Sequence, residues 1–107
     1  MIDINDFKKL NIVVGTVENV EDIEGSDKLY KFTVNIGPEK RQLLGGLKLS
    51  YQKEELLNKQ VLVLENLEPR TMMGLESQGM ILAASDENNK PVIVQPLKKI
   101  QNGSKIR

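Results

Sequence analysis

Asn66-Leu67-Glu68-Pro69-Arg70-Thr71-Met72-Met73-Gly74-Leu75-Glu76-Ser77-Gln78-Gly79-Met80 joins two short apolar runs, Gln60 to Glu65 and Met80 to Ala84. Each run reads as a strand because it is brief and dominated by aliphatic residues. Pro69 lacks an amide donor, and Gly74 and Gly79 invite turns, so no continuous regular structure is expected between the two strands. The stretch is a shaped connection. Around its punctuation it sets an amide (Asn66), a cation (Arg70), a hydroxyl (Ser77) and the thioethers of Met72, Met73 and Met80. That mixture suits a ligand carrying both charge and flat apolar surface, and it holds no catalytic base.

Working outward, Leu29 to Ile36 alternates: Tyr30, Phe32, Val34 and Ile36 face one way, Lys31, Thr33 and Asn35 the other. One face is therefore core and the other wet. Gly37 to Lys40 is a tight turn into a strand from Arg41 to Leu47, which makes a hairpin, and Gly45-Gly46 lets the backbone bend or be approached closely. Before these, Asn11 to Val20 reads as a strand whose central Gly15 marks a bulge or bend. Asp3 to Leu10 reads as a short helix capped by Asp3, expected to plug one end of the sheet. A second short helix is expected from Ser50 to Asn58, with Glu54 and Glu55 near its start, where the helix dipole favours them.

Three strands, a helix and two strands, the first strand bent, is the order of an all-β, five-stranded OB-fold barrel, which binds nucleic acid on the face of strands two and three. The barrel is expected over about residues 11–84, within a single domain of 107 residues. After Ala84 the five strands are spent. Pro91 to Pro96 is a further apolar strand which, with Leu97, Ile100 and Ile106, must bury itself against the barrel or against another copy of the chain. Residues 85–107 are thus a C-terminal extension.

The chain has no cysteine and no histidine, which removes disulfides, thiolate metal sites, cysteine nucleophiles and the usual general base. Neither a catalytic residue nor a metal or cofactor is expected. No apolar run approaches the roughly 20 residues that cross a bilayer, and the N-terminus lacks signal-peptide character, so a cytoplasmic protein without membrane contact is expected. The net charge is zero, but it is unevenly spread. Residues 18–27 hold five acids and no cation, whereas Lys28, Lys31, Lys40, Arg41, Lys48 and Lys53 follow with only Glu39 opposed. The last twenty residues carry Lys90, Lys98, Lys99, Lys105 and Arg107 with no acid. A polyanion responds to a local patch, because charges beyond a Debye length of ~8 Å are screened.

The 66–80 stretch resembles the signature of the tRNA-binding domain family, found as stand-alone homodimeric proteins, at the C-terminal end or as the beta subunit of methionyl-tRNA synthetases, and in multisynthetase-complex accessory proteins. Asp6-Phe7 to Gly15, Gly25-Ser26-Asp27-Lys28-Leu29 and Lys40-Arg41-Gln42 to Leu47 fit the same family in the same order. The resemblance implies an OB-fold, non-catalytic binding of tRNA with little sequence specificity, a methionyl-tRNA synthetase catalytic subunit as partner, and homodimerisation through the extension.

It also implies RNA contact by Asn66, Arg70, Ser77 and Met80, bordered by Lys28, Lys31, Lys40, Arg41 and Lys48. Each has a structural reading beside it. Asn66 suits a cap at a strand end, Ser77 a turn, Met80 the core of the last barrel strand, and Arg70 a solvated ion pair with Glu65, Glu68 or Glu76. The family's usual basic or polar residues are replaced here by Val13, Gly45, Thr71 and Met73. If Val13, Met72 and Met73 form an apolar surface, the alternative is a homodimerisation or protein-interaction module, or a chaperone-like export protein, with weak RNA binding.

Overall fold

The structure, a computed structural model, describes Met1 to Arg107. Its elements run α1 (Ile4–Phe7), β1 (Ile12–Asp22), β2 (Tyr30–Asn35), β3 (Lys40–Gly45), α2 (Lys53–Leu56), β4 (Gln60–Leu64), β5 (Arg70–Met72), β6 (Leu75–Ser77), β7 (Met80–Ile81), β8 (Ala83–Ser85) and β9 (Pro91–Ile93). The barrel is one five-stranded sheet ordered β3-β2-β1-β4-β7, antiparallel throughout. This is the expected OB-like barrel.

The alternation read in β2 is the alternation of burial: Tyr30, Phe32 and Val34 point in, while Lys31, Thr33 and Asn35 lie at the surface. Val17, Phe32, Val34, Leu43, Val61 and Val63 are fully buried and form the centre of the core. Tyr30 meets Phe32 edge-on, ring centroids 5.9 Å apart. Its hydroxyl donates to the carbonyl of Tyr51 (2.7 Å), and the Tyr51 hydroxyl accepts from the amide of Ile93 (3.0 Å). Those two bonds tie β9 to the barrel.

The bulge in β1 is not at Gly15. Val17 pairs with Val34 and Asn19 with Thr33, so Glu18 is the extra residue. Gly15 instead lies where β1 changes partners, from β4 over residues 12–16 to β2 over 16–22. A Cβ there would stand 2.7 Å from Cγ1 of Val34. The glycine thus permits a close crossing of strands, one way a small barrel curls.

Both helices are single turns. Asp3 and Asp6 cap α1 reciprocally (3.0 and 3.2 Å), yet α1 buries none of its residues. The expected plug is absent because one turn is too short to present an apolar stripe. It is α2 that reaches the core, through Leu56.

Met80 to Ala84, expected as one strand, is split: Met80–Ile81 stays in the barrel as β7, and Ala83–Ser85 opens the separate hairpin β8–β9. The hairpin turns around a polar loop in which Asp86 accepts from the amides of Asn88 and Lys90 (2.8 and 2.9 Å). The extension then returns to the barrel. The amide of Gly103 donates to the carbonyl of Val14 (2.7 Å), that of Val14 to Ser104 (2.9 Å), and that of Ile106 to Ile12 (2.9 Å). Residues 103–106 therefore cover the half of β1 that β2 leaves open. Val92, Val94, Leu97 and Ile100 stay exposed, Leu97 completely. No helix is long and apolar enough to cross a membrane.

Candidate nucleic-acid interface

Residues 66–80 contain a hairpin that sequence reading did not anticipate. β5 pairs with β6 in the register Arg70 to Ser77, Thr71 to Glu76 and Met72 to Leu75. Met73 (φ 54°) and Gly74 (φ 75°) turn it. Two left-handed central residues are the mark of the type I′ hairpin turn, whose first position normally goes to Asn, Asp or Gly. Met73 disguises it.

The hairpin is moored mostly by side chains. Gln42 exchanges bonds with Gln78: its amide donates to the Gln78 side-chain oxygen and its carbonyl accepts from the Gln78 amide, both 2.9 Å. Gln42 Nε2 also donates to the carbonyl of Glu76 (2.9 Å). Ser77 Oγ accepts from the amide of Leu44 and donates to the carbonyl of Gly79, both 3.0 Å. Arg41 Nη1 donates to the carbonyls of Glu65 (2.7 Å) and Gln78 (3.1 Å), so one guanidinium holds both ends of the connection. At its start Asn66 accepts from the amide of Asn11 and donates to the carbonyl of Lys9, both 2.8 Å.

These moorings sort the candidates. Ser77 is buried, and its hydroxyl is committed on both sides. Asn66 spends its polar atoms on backbone, and Arg41 gives Nη1 to backbone and Nη2 to the Glu39 carboxylate (3.0 Å). The structural reading of Asn66 describes its placement, Ser77 is a buried strand residue of β6 and not the turn residue expected, and Arg41, read as a bordering cation, is an internal clamp. Gln42 and Gln78 are equally important to the mooring and carried no sequence signal, since their partners lie 34 to 36 residues away.

Arg70 and Met80 come together. With Leu29, Gly45, Gly46 and Met72 they line a groove of about 340 Å³. Both are exposed. No carboxylate lies within ion-pair distance of Arg70, so the expected solvated pair with a neighbouring glutamate does not form. Lys28, beside Leu29 in the chain, is likewise exposed and unpaired. A larger depression of about 500 Å³ between Thr16, Gln60, Lys98 and Lys99 has only one apolar residue in its walls. It offers a flat ring little to rest on, whereas the smaller groove joins an apolar lining to the unpaired Arg70.

The remaining candidate lysines do not form an open basic face. Lys31 pairs with Glu21 (3.3 Å), Lys40 with Glu18 (2.9 Å) and Lys48 with Asp22 (3.2 Å), while Asp22 also takes Lys53 (2.6 Å). Glu18 can reach across to β3 because the bulge turns it outward, and Asn35 donates to it on the way (3.2 Å). Lys40 first and Asn35 second hold the Glu18 carboxyl below the usual range. Lys53 and then Lys48 do the same for Asp22, and Asp22 in turn holds the Lys53 ammonium above its ordinary value.

Val13 corrects a second expectation. It is buried in the core cluster, so it forms no apolar surface with exposed Met73 and half-buried Met72.

A family model described as a putative tRNA binding domain matches residues 12–105. The methionine--tRNA ligase of Thermococcus onnurineus is 44% identical over 106 residues, which are 99% of this chain and 14% of that protein. That of Methanothrix thermoacetophila is 47% identical over 107 residues, 100% of this chain and 16% of the other. The chain thus spans about one seventh of the length of the curated relatives it matches. Among solved structures, the MetRS related protein from Pyrococcus horikoshii superposes with a TM-score of 0.94 at 31% identity, covering 100% of this chain and 98% of that one. The CsaA chaperone protein from Picrophilus torridus superposes with a TM-score of 0.90 at 27% identity, covering 100% of both.

Proposed function

This chain belongs to the putative tRNA binding domain family, and on that premise we propose that it is a non-catalytic module that holds structured tRNA at the groove beneath Arg70. The observation that carries this reading is an exposed guanidinium without an acidic partner on the wall of an apolar groove. Structured RNA is recognised through its shape, its backbone and a few splayed bases. A base laid in the groove would rest on Met80, Met72 and Leu29, a stacking contact worth about 1–3 kcal/mol. Arg70 would then fork onto a phosphate or a base edge, a task its planar donor set suits better than a lysine's point charge. Gly46, where a Cβ would meet nothing within 4 Å, lowers the wall so that backbone can approach.

Anisotropy of labelled tRNA over a series of salt concentrations tests the reading. Binding should fall with salt, by roughly 0.7 to 0.9 in log–log slope for each phosphate contact. Arg70→Ala should weaken it about tenfold, near 1.4 kcal/mol. No binding at low salt, or an Arg70→Ala variant that binds as the parent does, sinks the proposal.

The extension supports homodimerisation as part of the same proposal, because it leaves Val92, Val94, Leu97 and Ile100 in water. Leu97→Glu should turn a dimer into a monomer in sedimentation velocity, and a parent that already sediments as a monomer removes the dimer. The homology to methionine--tRNA ligases supports a cytoplasmic role beside a synthetase catalytic unit, to which the module would bring tRNA.

A second reading is favoured by the CsaA likeness: the groove takes an apolar segment of polypeptide. Arg70→Ala would leave such binding largely intact, so the same variant separates the two.

A further inference from the structure

We propose that Glu18, Glu21 and Asp22 are specificity-determining residues: they occupy Lys31, Lys40, Lys48 and Lys53 in advance, so that a generic polyanion finds no free basic face on the β1–β3 side of the barrel. The inference rests on the RNA-binding reading and adds what that reading lacks, a reason for the module to refuse nucleic acid that offers no base to the groove.

The acids and lysines meet across the outer surface of β1, β2 and β3 and the segments flanking it, at separations of 2.6 to 3.3 Å. The paired surface adjoins the groove, since Lys48 follows Gly46 and Leu47 in its wall. Exposed pairs of this kind contribute little to folding, so stability does not account for three acids placed against four lysines. Their effect on a ligand is larger. A phosphate approaching Lys40 must displace a carboxylate, exchanging one ion pair for another, whereas a free lysine would bind it and release a condensed counterion. Glu18 is aimed at Lys40 by the one bulge in the β1–β2 pairing, and Asp22 serves two lysines at once. Arg70, in the groove's wall, and Lys28, next in the chain to the wall residue Leu29, are left without a carboxylate partner. From Lys28 to Arg70 the only other unpaired cation is Lys59, while Lys98 and Lys99, also unpaired, line the separate depression beside Gln60.

The test compares Glu18→Gln/Asp22→Asn with Glu54→Gln/Glu87→Gln. Both pairs of changes add the same charge, but neither Glu54 nor Glu87 forms an ion pair, Glu54 acting on Lys53 only at longer range. The probe is a labelled DNA duplex of arbitrary sequence, titrated by anisotropy at several salt concentrations, with circular dichroism confirming the fold. The first variant should bind duplex about tenfold more tightly than the parent, with a salt slope steeper by ~0.9 for each lysine that reaches a phosphate. The second should change affinity less than threefold. Equal effects of the two variants, or an unchanged slope in the first, overturn the proposal. Should the double variant lose its fold, Asp22→Asn alone must shift duplex affinity in the same direction. Because the readout is duplex DNA, it stands apart from the tRNA titration. A parent that fails to bind tRNA defeats the groove reading and leaves this comparison intact.

Discussion

Gly79→Ala is expected to destabilise the domain by about 3 kcal/mol or more, a large part of the 5–15 kcal/mol typical of small domains. Gly79 has φ near 144°, a region that residues with a side chain rarely enter and that costs them about 1–3 kcal/mol. A Cβ there would also stand 2.8 Å from the carbonyl oxygen of Leu64 and 3.2 Å from Cδ2 of Leu43. The first is backbone of β4 and the second is core, so neither can step aside cheaply. Relief would come by moving β7 away from β4, which breaks the pairing of Leu64 with Met80 and carries Met80 off the groove. Urea denaturation reads the result as a lower midpoint at unchanged slope. Gly74→Ala is the control: it has positive φ but open space around it, and should cost about 1–2 kcal/mol. Equal losses at the two positions would falsify the steric argument.

Ser77→Ala is expected to cost about 2 kcal/mol and to weaken RNA binding without removing any RNA-contacting atom. The change leaves the buried amide of Leu44 without its acceptor and the carbonyl of Gly79 without a donor. Stranding a buried polar group costs about 1–3 kcal/mol. The link to function is register: Ser77 is the strand partner of Arg70, so the hydroxyl that fastens β6 to β3 also fixes where Arg70 is presented. Ser77→Thr, which keeps the oxygen, should recover much of the stability, and with it the affinity. A Ser77→Ala protein that melts as the parent does would show the hydroxyl to be dispensable.

The barrel was legible because period-two alternation in β2 and the brevity of each apolar run leave few other solutions. The hairpin inside 66–80 was not, because Met73 occupies a turn position that Asn or Gly would have announced. Gly15 pointed to a bend and was read partly as a bulge, while the bulge fell on Glu18, which has no intrinsic preference for one. Arg70 and Met80 were legible as surface residues of one stretch, but their shared groove depends on Leu29, Gly45 and Gly46 from elsewhere in the chain. Ser77 and Arg41 went the other way, because partners 24 to 37 residues distant leave no local trace. The acidic block at 18–27 and the lysines after it were both visible as composition. That they cancel one another follows from strand register, Glu21 lying opposite Lys31, which composition does not contain.

The bonds from residues 103–106 to Ile12 and Val14 also set the order in which the edge of the barrel is closed. As the chain leaves the ribosome, β1, β2 and β3 can meet through short loops while the outer edge of early β1 remains bare. That edge is a template for any other extended segment nearby, and it stays so until about ninety further residues have been made. Contacts of such long sequence separation are slow to close. Residues 103–106 thus shield a strand made long before them, and the domain is most vulnerable to mispairing until they have docked.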